Sequence, residues 1–127
     1  MGDGASIWVK PDAPVQLSNK AQVTNAASIG LQWLTSPSDG GTAVLDYRIF
    51  YSLVKQPDGA GDYTPVNSEF ALLAEGISAT SYTTSQTLIS GALYSFKVQA
   101  RNVVGYSTDS NLVSIYAASV PNAPTNV

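Results

Sequence analysis

The chain of 127 residues contains no cysteine and no histidine. Without cysteine there is no disulfide staple and no thiol nucleophile, so any fold rests on its core alone. A chain of this length buries roughly two thirds of its unfolded surface, which is enough. Without histidine the usual general base near neutral pH and the commonest metal ligand are missing. Ser-His-Asp and Cys-His catalysis are therefore excluded within the chain. Charge is scarce as well. Asp, Glu, Lys and Arg make up 12% and the net charge is −3, against about a quarter charged residues in ordinary domains. The six basic residues are scattered, which argues against a nucleic-acid partner. No apolar run approaches the ~20 residues of a membrane-spanning helix, so membrane association is expected only through a parent chain. No charged-then-apolar leader follows Met1. No Asn-x-Ser/Thr glycosylation sequon occurs.

What the chain does have is strict alternation. From Tyr94 onward, Tyr94, Phe96, Val98 and Ala100 point one way and Ser95, Lys97 and Gln99 the other, the period of a strand buried on one face. Leu88 and Tyr94 bracket a turn at Gly91. That placement predicts a tyrosine corner, in which the Tyr94 hydroxyl returns to backbone just upstream. Ser28–Trp33 alternates with Ile29, Leu31 and Trp33 inward, and Leu45, Tyr47, Ile49 and Tyr51 form the core face of the next strand. Pro37-Ser38-Asp39-Gly40-Gly41 collects turn formers between them. Residues 54–68 read as a long irregular loop. Short apolar stretches at 70–74, 81–84 and 112–117 complete about seven strands. No stretch of helical length shows helical spacing. Together these predict an all-β, seven-stranded antiparallel Greek-key sandwich. Trp33, Tyr47, Leu88 and Tyr94 are its expected structural core.

The pattern P-[D/N]-A-P-x-x-[L/V] occurs at Pro11–Leu17 and again at Pro121–Val127, 110 positions later. Each copy follows an apolar stretch, which marks a repeat boundary. The expected organisation is a preceding tail or linker at 1–10, one whole domain at 11–118, and a linker with the start of another domain at 119–127.

Several segments resemble the fibronectin type III domain, an immunoglobulin-like sandwich. They are the proline-rich start at 11–14, Trp33, the Pro37–Gly41 turn, the Leu45–Tyr51 strand, Leu88-x-x-Gly91-x-x-Tyr94 and Ala100-Arg101-Asn102-x-x-Gly105. The resemblance covers residues 11–117 and implies the fold far more than any single function. The sequence departs from the family pattern in its long 54–68 loop and in an extra residue at 82–88, which predicts a bulge there. It also lacks Arg-Gly-Asp between Asn102 and Asp109, so integrin binding by that route is not implied.

Function is expected to be non-catalytic, because the residues offer no cleft with paired carboxylates. Asp58 and Asp62 with intervening glycines suggest a fragment of a calcium loop, but two carboxylates fall short of the six to eight oxygens calcium takes. Turn geometry explains them, and no metal or cofactor is expected. Lys97 reads as a solvated lysine. Asp46 and Arg48 read as outer-face charges whose cross-strand pairing is worth little. Val103, Val104 and Tyr106, on the loop before the last strand, are the candidate protein-binding residues, since apolar and Tyr-bearing loop tips favour contact. Trp8 is expected to pack at a domain junction. The expected role is a spacer or adhesion module in a tandem repeat protein, partnered by its neighbouring domains and by another protein. Its expected place is extracellular or at the cell surface. Two alternatives fit the same residues: an accessory spacer of a secreted polysaccharide-degrading enzyme, and an intracellular muscle-type scaffold domain.

Overall fold

The computed structural model describes residues 7–58, 62–66 and 69–118. The second proline motif, at 121–127, lies outside them. Eight strands run in two antiparallel sheets, with no helix among the described residues. They are β1 (Val15–Asn19), β2 (Gly30–Leu34), β3 (Asp46–Pro57), β4 (Tyr63–Pro65), β5 (Ala71–Ile77), β6 (Ser81–Thr83), β7 (Leu93–Arg101) and β8 (Val113–Tyr116). One sheet has the order β1-β2-β6. The other has the order β4-β3-β7-β8, with β5 also paired to β3.

The core follows from the period of two. Along β7 every second residue from Tyr94 to Ala100 is buried. Opposite them Tyr47 and Ile49 of β3 and Leu31 and Trp33 of β2 close the interior. Trp33 meets Tyr47 edge-to-face at 5.5 Å, and Tyr51 stacks on Tyr94 at 6.0 Å, the offset and T-shaped geometries aromatic quadrupoles favour. Leu88 caps the same cluster. Tyr94 Oη accepts from the Ile89 N–H at 2.9 Å, so the tyrosine corner is present. Gly91, at φ 82°, turns the chain into β7 in a conformation that favours glycine.

Four sequence expectations are corrected. The 54–68 region is largely a hairpin, because β3 continues to Pro57 and β4 returns along Lys55–Pro57. β4 is the strand beyond the expected seven. Its Tyr63 hydroxyl donates to Gly91 O, its ring packs on Tyr116, and the Lys55 ammonium lies 5.0 Å from that ring. Leu45 is 46% exposed rather than core. It precedes the first β3–β7 pair, Asp46↔Arg101, and sits at the rim of the sheet. No register shift occurs where β6 pairs β2, and Thr84 N–H continues that ladder to Ile29 O. Instead the irregularities fall in β1 and β3, and Gln16, at φ 55°, carries the one in β1. Lys97 is not simply solvated. It pairs with Asp109 at 2.9 Å and lies 4.5 Å from the Phe70 ring centre.

Asn111 joins the two sheets. Its side-chain amide accepts from Leu17 N–H and donates to Leu17 O, both at 3.0 Å, replacing a strand pair with one side chain.

Replacing Tyr94 by Phe keeps the ring and removes only the corner hydrogen bond. The expected loss is about 1 kcal/mol in urea denaturation, and an unchanged midpoint would contradict the corner.

Candidate partner-binding pole

Three segments meet at one end of the sandwich: the leading residues 7–14, the β2–β3 loop and the β7–β8 loop. Asn102 holds them together. It is buried, and its amide makes four hydrogen bonds. Nδ2 donates to Val9 O and to Asp39 O, both at 2.8 Å. Oδ1 accepts from Val104 N–H at 2.9 Å and from Gly105 N–H at 3.2 Å. An amide has two donors and two acceptor lone pairs, so one side chain satisfies backbone groups from all three segments. Val9 N–H to Gly40 O and Asp12 N–H to Ser38 O add two main-chain ties. Gly40 has φ 82°, and a Cβ there would stand 2.1 Å from Val9 O, so this close approach requires glycine.

After the loop the chain runs back along β7 on two buried serines. Ser107 Oγ accepts from Ala100 N–H and Ser110 Oγ from Val98 N–H, each at 2.9 Å. Their own N–H groups donate to Ala100 O and Val98 O. The hydroxyls thus stand in for ladder carbonyls, a buried-polar arrangement that leaves nothing unsatisfied.

On this base the candidate residues divide. Val103 and Val104 project into solvent, 59% and 43% exposed. Ile7, Trp8 and Val9 are exposed beside them in the segment that Asn102 holds. Tyr106 is half-buried and forms an isolated bridge with Arg101. The Arg48 guanidinium lies 3.5 Å from its ring centre, so one face of the ring is already taken by a cation. Tyr106 also lines a groove of about 490 Å³ between the leading segment and the β7–β8 loop, with Lys10, Pro11 and Asp12 on the far wall.

The outer face beside the loop is fixed by charge. Arg101 Nε and Nη2 bond both carboxylate oxygens of Asp46 at 2.8 and 2.7 Å. The expected Asp46–Arg48 neighbourhood is therefore split: Asp46 takes Arg101, and Arg48 donates to Gln99 at 2.7 Å. The hydrogen bond from Arg101 holds the Asp46 carboxyl below its ordinary range. For Asp109, burial pulls upward, but the bonds from Lys97 and Gln99 prevail and hold its carboxyl low. In the hairpin tip, Asp58 Oδ1 and Asp62 Oδ1 accept backbone N–H groups of Asp62 and Tyr63, so these carboxylates shape a turn.

Residues 12–116 match the family profile described as the fibronectin type III domain. The chain belongs to this family. The Protein turtle of Drosophila melanogaster is 30% identical over 119 residues. The match covers 93% of the chain but only 7% of that protein's length. The twitchin kinase region from C. elegans superposes with a TM-score of 0.71 at 18% identity, over 93% of this chain and 18% of that one. The fibronectin type-III domain of human fibronectin type III domain containing protein 3 gives 0.65 at 21% identity, over 98% and 100%. Both structures share the fold. Fibronectin type III modules of this kind thus occur inside longer multidomain chains.

In the sequence Asn102 stands out only within the Ala100–Gly105 signature, and nothing local marks Ser107 or Ser110. An Asn directly after an alternating strand, with Gly three residues on, is the signal that the sequence carries.

Asn102→Ala is expected to cost about 2–3 kcal/mol, because it strands two carbonyls and two N–H groups at once. A thermal or urea midpoint within error of wild type would refute the clamp. The depressed carboxylates give a pH dependence of definite sign. Their contribution is present above the ordinary carboxylate value of about 4 and is lost as pH falls through the lower folded value. Asp46→Asn should flatten that acid loss by roughly 0.2–1 kcal/mol, the range of exposed pairs. Urea midpoints at neutral and acid pH measure it.

Proposed function

We propose that this fibronectin type III domain is a non-catalytic structural and protein-interaction module of a longer repeat protein, with a spacer or adhesion role. One observation carries the reading: the solvent-facing Val103–Val104 tip stands on a base clamped by Asn102, beside the exposed Ile7–Val9 segment. Apolar side chains on a pre-ordered support favour binding, since little entropy is lost on contact. The partner is a protein, first of all a neighbouring domain of the same chain. The domain proper spans 11–118, with 1–10 and 119–127 leading to its neighbours. An extracellular or cell-surface setting is supported by a surface that relies on Ser, Thr, Asn and Tyr rather than on charge.

The test uses the protein with its native flanking domains. The double variant Val103→Asp/Val104→Asp should leave the stability of the domain within about 0.5 kcal/mol, as for surface sites. It should also release the neighbour, seen as faster independent tumbling in NMR relaxation. Unchanged tumbling would remove these residues from the interface.

A further inference from the structure

The β2–β3 loop and the start of β3 line an open cavity of about 550 Å³, within the size range of small-ligand sites. Its lining is unusual for a chain so poor in charge. Thr35, Ser36, Ser38 and Tyr47 bring four hydroxyls, and Asp39 brings a carboxylate. Pro37, Ala43 and Val44 supply apolar wall. No lysine or arginine lines it.

Two polar groups here lack protein partners. Tyr47 is 4% exposed as a whole residue and lines the open cavity. Burial pushes this phenol up, so it stays protonated and available as a donor. Ser36 Oγ is buried and unpaired. So is Nε1 of Trp33, whose ring packs directly on Tyr47. Buried polar atoms are nearly always hydrogen-bonded, and leaving one unmade costs more than an ordinary bond gains. Two such groups at one end of the core, beside the Tyr47 hydroxyl, therefore point to something that binds there.

The loop that lines the cavity is held in place. Val9 N–H to Gly40 O, Asp12 N–H to Ser38 O and the Asn102 amide to Asp39 O fix its backbone from the other side. The cavity is therefore preformed, which lowers the cost of binding.

We propose that this cavity is a binding site for a neutral saccharide. Hydroxyls that both donate and accept, with one carboxylate accepting, match the donor and acceptor pattern of vicinal sugar hydroxyls. The apolar wall faces the C–H surface of a pyranose. The lack of a lysine or arginine excludes phosphate, sulfate and acidic sugars. A single carboxylate falls short of a cation site. The proposal stands apart from the Val103–Val104 contact and goes beyond it.

The test is titration of the ¹⁵N-labelled chain with the methyl glycosides of glucose, galactose and mannose, with glycerol as a control polyol. Trp33, packed on Tyr47, reports from beside the site through its indole N–H resonance, and the β8 amides, which pair with the opposite end of the sheet, serve as internal reference. At least one glycoside should give saturable millimolar shifts at Trp33 and the 35–39 amides, with the β8 amides unmoved. Tyr47→Phe and Ser36→Ala, each conservative and checked for a native spectrum, should each weaken binding about tenfold, the factor that 1.4 kcal/mol confers. Three results would each overturn the proposal: no saturable shift with any glycoside, equal shifts with glycerol, or binding unchanged in both variants.

Discussion

One buried amide sets the order of a whole end of this molecule. Asn102 ties the leading segment, the β2–β3 loop and the β7–β8 loop through four hydrogen bonds. Without such a partner, three loops at the end of a sandwich would each meet water separately and sample many conformations. With it, Val103 and Val104 are presented on a fixed base. On the other side of the same clamp, the β2–β3 loop lines an open cavity. Both functional readings thus depend on one side chain that touches neither proposed ligand.

The outer face of the larger sheet supports this end by other means. Arg48 lies between Phe50 and Tyr106 at 5.1 and 3.5 Å from their ring centres, and Lys97 lies over Phe70. Asp46 and Asp109 complete the row by pairing with Arg101 and Lys97. Four of the six basic residues of the chain are spent in this way on one sheet face, counting Lys55 over Tyr63. Each such contact is weak on its own. Along one face they fix long side chains that would otherwise move, and they anchor the β7–β8 loop through Tyr106.

Much of the fold was legible because strand burial leaves a period of two. Tyr94 through Ala100, Ile29 through Trp33 and the Tyr94 corner could be read directly. Leu45 was misread because period alone does not say where the sheet ends. β4 was missed because its three residues carry no alternation. It is held by Tyr63 against Gly91 and Tyr116, long-range contacts that no local pattern reveals. At the site, the exposed valines were visible as a loop tip. The Asn102 clamp, the serine-for-carbonyl pairing at Ser107 and Ser110, and the unpaired polar groups near Tyr47 all depend on atoms far apart in sequence.

This pole is rigid although it is exposed. Native-state hydrogen exchange of the Val104 and Gly105 amides tests it most directly. Both sit at a solvent-exposed loop tip yet donate to a buried side chain. Protection well above that of a free loop is expected, approaching the sheet amides of β7. Exchange at the rate of an unstructured peptide would mean that Asn102 does not hold the loop, and the preformed pole would have to be abandoned.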